Sequence, residues 1–314
     1  MSKNPLLAKP LLAAELGRKL QRYRFRGLGL LGIQSNSHRD AFVAQMLDSI
    51  SRIEYVKAIA RRPVSPKRLN PKNTTMFDPL RAAIHYKQLG NLDEAFWLVF
   101  LFVHCGKHLR KGYALLRMVY GALDDNFVWT WARITQNPND FSMWHGQYLE
   151  EMLRRRSEFP FGNHRKYESL KELSLVFSSY VEWVGENHSH QERIDAEKAK
   201  VGDDPKALFN RMYKSMDAVS QFGRTAKFDY LTMVGKIGLL DIAPPIAYMQ
   251  DGTGPVRGAR LLFSGAVDDE TLSKKTIEQL CVELEAVLGV GMQVMEDSLC
   301  NWQKSQSAYL PFRG

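Results

Sequence analysis

The segment QFGRTAKFDYLTMVGKIGLL, residues 221–240, sets three cations, Arg224, Lys227 and Lys236, around one acid, Asp229. Cations gathered about a single carboxylate can neutralise a phosphoryl leaving group and accept one proton. If Thr232 to Leu239 is helical, the seven residues from Asp229 to Lys236 make two turns, and both side chains share a surface. The plainer reading is a solvated charged face on which Asp229 pairs with Lys227 or Lys236. Near the C-terminus, MEDSLCNWQK places Glu296, Cys300 and Lys304 along one helix face, with Asp297 beside them. They read as a general base and an anion contact, or as a surface face over a buried Leu299 and Trp302. A third group, His104, Lys107 and His108, lies in FVHCGKH. Two histidines four apart could hold a metal on one helical face. No HExxH pattern accompanies them and Gly106 interrupts the spacing, so a helix C-terminal cap is the better reading.

A different chemistry is written in DGTGPVRGARLLFSG, residues 251–265. Pro244 and Pro245 suit the start of a short helix running through Tyr248 to Gln250. Gly252 and Gly254 then make a hairpin, and Pro255 opens a second helix carrying Arg257 and Arg260. Glycines allow close backbone approach, and the amides at the second helix's start can hold an anion. An ordinary helix–turn–helix corner is the competing reading. Arg154, Arg155 and Arg156 are phosphate contacts or solvated surface, without base specificity either way. The tryptophans of WTWARITQNPNDFSMW could stack on bases but fit a core better.

The elements that must position these groups are helical. From Arg39 to Ala60 the apolar residues recur at three- and four-residue spacing. Asp93 and Glu94 open the very apolar AFWLVFLFVHCGKH, as acids favour a helix N-terminus, and Ile277 to Leu288 repeat the amphipathic pattern. No run of period-two alternation competes, so the fold class is all-α. Two stretches read as connectors: an extended basic loop over 61–79, which includes Arg68, and the polar 185–205. They suggest a basic helical part over 1–184, a connector over 185–205 and a helical part with the hairpin over 206–314. One discontinuous body is the alternative.

Composition narrows the class. The longest apolar run, Ala95 to Val103, is nine residues, too short to span a bilayer. Three cysteines without a CxxC pair fit a reducing compartment and argue against a cysteine-rich zinc site. Residues 1–160 hold 25 Lys+Arg against 13 Asp+Glu, so +12, and the remainder holds 18 against 21, so −3, giving the net +9. Such a distribution suggests a polyanion bound through one side. No Walker motif, dinucleotide fingerprint or GxSxG elbow occurs.

FDPLRAAIHYKQLGNLDEAFWLVFLFVHCGKH, the later YGAL and WTW, and FGRTAKFDYLTMVGKIGL through TGPVRGARLLF resemble the α-glutamyl/putrescinyl thymine pyrophosphorylase family. These are amino acid:DNA transferases found largely in bacteriophages, and the likeness spreads over roughly residues 35–305. The resemblance implies a fold related to helical DNA glycosylases, with a helix–hairpin–helix gripping the DNA backbone. It also implies a reaction on double-stranded phage DNA in the cytoplasm of an infected host. The amine of an amino acid such as glycine or glutamate, or of a polyamine, displaces pyrophosphate from diphosphate-activated 5-hydroxymethyluracil. Arg224, Lys227, Lys236 and Lys107 would neutralise the diphosphate, and Asp229, Glu296 or His104 would deprotonate the amine. The target base must leave the stack. No cofactor is dictated, and Mg²⁺ is left open at the diphosphate. The second helix lacks the lysine of a glycosylase–lyase, and Asp268 and Asp269 come early for a glycosylase aspartate. Base excision is therefore a weaker reading, as is a non-catalytic DNA-binding protein.

Overall fold

The computed structural model describes residues 4–25, 27–123, 125–162 and 169–312. Among them the chain is all-α, with no strand and only two isolated bridges, Phe25–Leu28 and His108–Gly112. In chain order the first helices are α1 (Pro5–Ala8), α2 (Pro10–Arg22) and α3 (Asn36–Ala60). Next come α4 (Pro79–Gln88), α5 (Leu92–Cys105), α6 (Ala114–Tyr120), α7 (Trp131–Gln136) and α8 (Pro138–Arg154). The chain continues through α9 (Leu173–Val184), α10 (His190–Val201), α11 (Pro205–Ser215) and α12 (Arg224–Lys236). It ends with α13 (Gly254–Ser264), α14 (Lys274–Leu288) and α15 (Met292–Trp302). These form two compact units, one from Met1–Val56 with Ala243–Arg313, the other from Lys57–Ile242.

The first unit closes α13, α14 and α15 over α2 and α3. Its core takes Phe42, Met46 and Leu47 from α3, Leu262 from α13, Leu284 from α14, and Leu299 and Trp302 from α15. The Phe42 and Trp302 rings meet at 5.0 Å. Backbone closeness makes the α13–α15 seam. A Cβ on Gly258 would stand 2.2 Å from the Leu299 carbonyl oxygen, so only glycine admits this approach. A polar clasp joins α3 to α15: Ser49 donates to Asp297 at 2.6 Å and Arg52 reaches the same carboxylate at 3.3 Å. Asp297 is therefore a structural acid.

The second unit is built around α5. Asn91 caps that helix by accepting the Glu94 amide at 3.2 Å, and Asp93 and Glu94 lie in its first turn. Ten of its residues from Ala95 to Cys105 are buried, so the helix is apolar on nearly every side. α4, α6, α7, α10 and α12 all pack against it. Trp97 donates to the Trp129 carbonyl at 2.8 Å, and the Phe100 and Tyr180 rings stack at 3.8 Å. Trp129, Trp131 and Trp144 are buried, which answers the choice between base stacking and core for these tryptophans. The polar 185–205 stretch holds α10, which packs on α5 and α11 within this unit.

Candidate functional site

In the second unit, α12 orders the cation–acid cluster. Arg224 is its first residue, preceded by Gly223, and among the described residues no side chain caps that end and no acid lies in the first turn. Helical geometry puts Asp229 and Lys236 on one stripe and turns Lys227 to the other side. Lys227 is buried and ion-paired with Asp217, its Nζ 4.3 Å from the Tyr213 ring centroid. It is therefore a strut that fixes the helix, and its charge is already met. Asp229 and Lys236 are half-buried, and the guanidinium of Arg224 lies 5.1 Å over the Phe228 ring. Arg224, Asp229 and Lys236 are the members of the cluster that border solvent.

Behind α12 runs a buried relay. Tyr230 of α12 contacts the Tyr180 hydroxyl at 2.8 Å, and Tyr180 contacts His190 Nε2 at 2.8 Å. His190 Nδ1 meets Asp93 Oδ1 at 2.7 Å, and the same oxygen accepts the His190 amide at 2.8 Å. A carboxylate only accepts, so Nδ1 carries the proton, Nε2 accepts from Tyr180, and Tyr180 accepts from Tyr230. Burial lowers the His190 pKa more than Asp93 raises it, so the ring is neutral. Burial works to raise Asp93, but its hydrogen bonds from His190 outweigh that and leave it below the usual carboxylate range. The neighbouring acid Glu94, unlike the partly exposed Asp93, is buried; it accepts the Trp131 amide at 2.6 Å and the Tyr120 hydroxyl, and burial raises its pKa.

The histidine pair is divided by the end of its helix. α5 ends at Cys105, so His104 and His108 do not share a helical face. His104 is 1% exposed, stacked at 6.0 Å on Phe100 and edge-on to Phe161 and Phe177. His108 Nδ1 accepts the amides of Arg110 and Lys111 at 3.3 and 3.2 Å, closing a turn. Among the described residues no group of three or more His, Cys, Asp or Glu gathers as for a metal. Lys107 is exposed, with its Nζ 5.5 Å from the Tyr113 ring centroid.

In the first unit, the hairpin departs from expectation on its first side. The helix expected from Pro244 to Gln250 is replaced by irregular chain and one 3-10 turn, Met249–Asp251. Glu278 of α14 supplies the reason. Its buried carboxylate accepts the Ala247 amide at 2.8 Å and the Met249 amide at 2.6 Å, protons that a helix would give to its own carbonyls. Between them Tyr248 is held in the left-handed region, at φ 52°. The second helix forms as expected, as α13. Gly254 opens it, and among the described residues Thr253 gives it no side-chain cap. Gly252 has ordinary extended backbone, and a Cβ on Gly254 would come 2.7 Å from Cys300 Sγ. Arg257 reaches Asp268 at 3.5 Å and Arg260 reaches Glu270 at 3.6 Å, but those acids are 78% and 83% exposed and hold them loosely. Glu296 is 8% exposed on α15, and Lys304 lies beyond the end of that helix.

Comparison with known families decides the assignment. Residues 37–314 match the model of alpha-glutamyl/putrescinyl thymine pyrophosphorylase clade 3. The chain belongs to that family. No curated protein and no solved structure matches it. The family name makes it a pyrophosphorylase of thymine modification and suggests DNA and an amino or polyamine compound as substrates. Among the described residues no helix is long and apolar enough to cross a membrane.

The remaining cations divide by exposure. Arg154 and Arg156 are exposed, whereas Arg155 between them is tied to Glu151 at 2.8 Å and Glu158 at 3.2 Å. Arg68 stands 3.9 Å from Asp78, a carboxylate that Arg81 already meets at 2.6 Å, so its charge is poorly compensated. Sequence reasoning missed His190, Asp93 and Glu278 in these roles. The only advance signal was a charged residue inside an otherwise apolar helical face, as at Glu278 in α14.

Proposed function

We propose that this pyrophosphorylase is an amino acid:DNA transferase acting on double-stranded phage DNA in the infected host's cytoplasm. Its target is 5-hydroxymethyluracil carried as a diphosphate ester. The observation that carries the reading is the single half-exposed stripe of α12 that joins Asp229 to Lys236, inside a family named for thymine pyrophosphorylases. Asp229 takes a proton from the ammonium of an amino acid or polyamine, because near neutral pH that amine is almost wholly protonated. The freed nitrogen attacks the methylene carbon on the thymine ring, the carbon–oxygen bond breaks, and pyrophosphate departs with the bonding electrons. Arg224 and Lys236 neutralise the charge that grows on that leaving group. Arg257, Arg260, Arg68 and Arg154 supply backbone phosphate contacts, together with the open amides at the start of α13. The reacting base is turned out of the stack to reach the acid.

The test is mass spectrometry of nucleosides from diphosphate-activated DNA incubated with the protein, an amino-acid mixture and a polyamine. The expected result is a heavier thymidine and one pyrophosphate released per amine gained. Release of free base would instead make the protein a glycosylase, and binding without any product would make it a non-catalytic DNA-binding protein. Asp229→Asn and Glu296→Gln, compared side by side, identify which acid is the base.

A further inference from the structure

A cleft of about 480 Å³ opens in the second unit, apart from the candidates on α12, none of which lines it. Its walls come from the 71–74 loop, from α6 and the turn after it, and from the chain following α8. The volume lies within the roughly 300–1,000 Å³ of small-ligand pockets and far above the roughly 30 Å³ share of one water.

The charges in it do not cancel. Among the described residues Glu158 is the one acid in its lining, and Arg155 takes that carboxylate while also pairing with Glu151. Among the described residues Lys72 donates only to neutral acceptors, the Asp125 carbonyl at 2.9 Å and the Asn126 amide oxygen at 3.1 Å. Arg117 is half-buried and makes no ion pair among the described residues; burial alone lowers its pKa, and it stays charged. The rest of the lining is in part apolar: Met118, which follows Arg117 on α6, Leu123, and Phe159, whose ring carries the Arg155 guanidinium at 4.9 Å.

Part of this lining is held at a cost. Ala122 and Leu123 both have φ 55°, the left-handed region that branched and bulky side chains avoid. Two consecutive non-glycine residues there persist because the Leu123 amide is fixed on the Met118 carbonyl at 2.7 Å and that of Ala122 on Val119 at 3.2 Å. Backbone strain of this kind concentrates at ligand clamps.

We propose that this cleft binds a phosphorylated nucleoside, with the phosphate on Arg117 and Lys72 and the ring against Met118, Leu123 and Phe159. Two sources share that chemistry: a nucleotide of a bound DNA strand other than the reacting one, which the proposed function places at α12, or a free nucleotide.

Calorimetric titration of the full chain with deoxythymidine monophosphate, with a short thymidine oligonucleotide and with inorganic phosphate tests it. The nucleotide and the oligonucleotide should bind better than phosphate. Arg117→Met should weaken the nucleotide by about tenfold or more, because it removes a charge-assisted bond, with Arg117→Lys intermediate. Arg110→Met, an exposed cation outside the cleft, should leave binding unchanged. Displacement of the mononucleotide by the oligonucleotide assigns the cleft to DNA, and binding of the mononucleotide alone assigns it to a free effector. If Arg117→Met lowers the melting temperature, Lys72→Met carries the test. Wild-type affinity in folded Arg117→Met and Lys72→Met, or no nucleotide binding up to millimolar concentration, would overturn it.

Discussion

α12 and α13 begin alike and end differently. Each follows a turn and opens without a side-chain cap or a first-turn acid among the described residues, and each carries cations that a sequence reader assigns to phosphate. In α13 the glycines are consumed by packing, since added Cβ atoms would meet Cys300 from Gly254 and the Leu299 backbone from Gly258. In α12 Gly223 has open space around it, and the packing task falls instead on Lys227 through Asp217. A glycine hairpin ahead of basic residues thus has two explanations that look identical in sequence. Only the surroundings of the missing Cβ separate a phosphate cradle from a helix seam. For α13 the anion-binding reading therefore rests on its open amides, Arg257 and Arg260, and no longer on the glycines.

The largest expected effect tests whether chemistry belongs to α12. Asp229→Asn should reduce the rate of amine transfer by about 10²-fold or more while DNA affinity stays within error. Arg257→Ala on α13 should raise the DNA concentration needed and leave the saturated rate unchanged. Single-turnover pyrophosphate release at saturating DNA reads both. If the two variants exchange these effects, the division of labour between the helices fails.

Next in size is the seam itself. Gly258→Val drives two methyl groups into the Leu299 backbone and should destabilise the fold by about 3 kcal/mol, seen as a lower urea midpoint. Gly223→Ala at the start of α12 meets nothing and should stay within about 0.5 kcal/mol of wild type. Glu278→Gln comes between them. It trades one accepting oxygen for a donor facing a backbone amide, at roughly 1–3 kcal/mol, and should free the Met249 turn to exchange its amide protons faster.

How much of this was legible in the chain follows from the range of each interaction. α5 and α13 were legible, because caps, acids and apolar spacing act within a few residues. So was the Asp229–Lys236 stripe, which is one helix's own geometry. The irregular chain before α13 was not, because the carboxylate that unwinds it lies 31 residues from Ala247. His190 read as part of a polar connector, since its partner Asp93 is 97 residues away and its burial depends on α5. The first unit joins segments on either side of the whole of Lys57–Ile242, and no local signal announces that closure.

A smaller effect separates the two helices by pH. His190 behind α12 is neutral with a pKa below its ordinary 6.5, so its contribution to stability is present above 6.5 and is lost as pH falls through that value. Asp93, also lowered, contributes above its ordinary 3.8 and is lost as pH falls further, so both act in the same direction. α13 has no such buried histidine contact among the described residues. Acidification from pH 7 to 5 should therefore lower the protection of amides in α10 and α12, corrected for the intrinsic pH dependence of exchange, before that of α13. Asp93→Asn should lower stability at pH 7 and leave a shallower decline below pH 4. An equal response in α12 and α13 would rule out the relay as the cause.

The smallest effect concerns single phosphate contacts. A protein that neutralises a phosphate releases counterions, and the slope of log affinity against log salt falls by about 0.9 for each duplex phosphate that is no longer neutralised. Arg154 is exposed and no described acid pairs with it, so a phosphate meets its full charge. Arg155, one residue on, already meets two carboxylates, and a phosphate would have to displace them. Arg154→Ala should therefore lower the slope by about one phosphate's worth, while Arg155→Ala should leave it nearly unchanged and cost stability instead. Arg257 lies between these cases, because its partner Asp268 is mostly exposed and exchanges readily. Removing it should lower the slope by less than Arg154→Ala does. The ordering Arg154, Arg257, Arg155, measured on one duplex across salt, ranks the cations by how little the protein itself has neutralised them. A uniform change across the three would mean that diffuse charge, rather than placed contacts, holds the DNA.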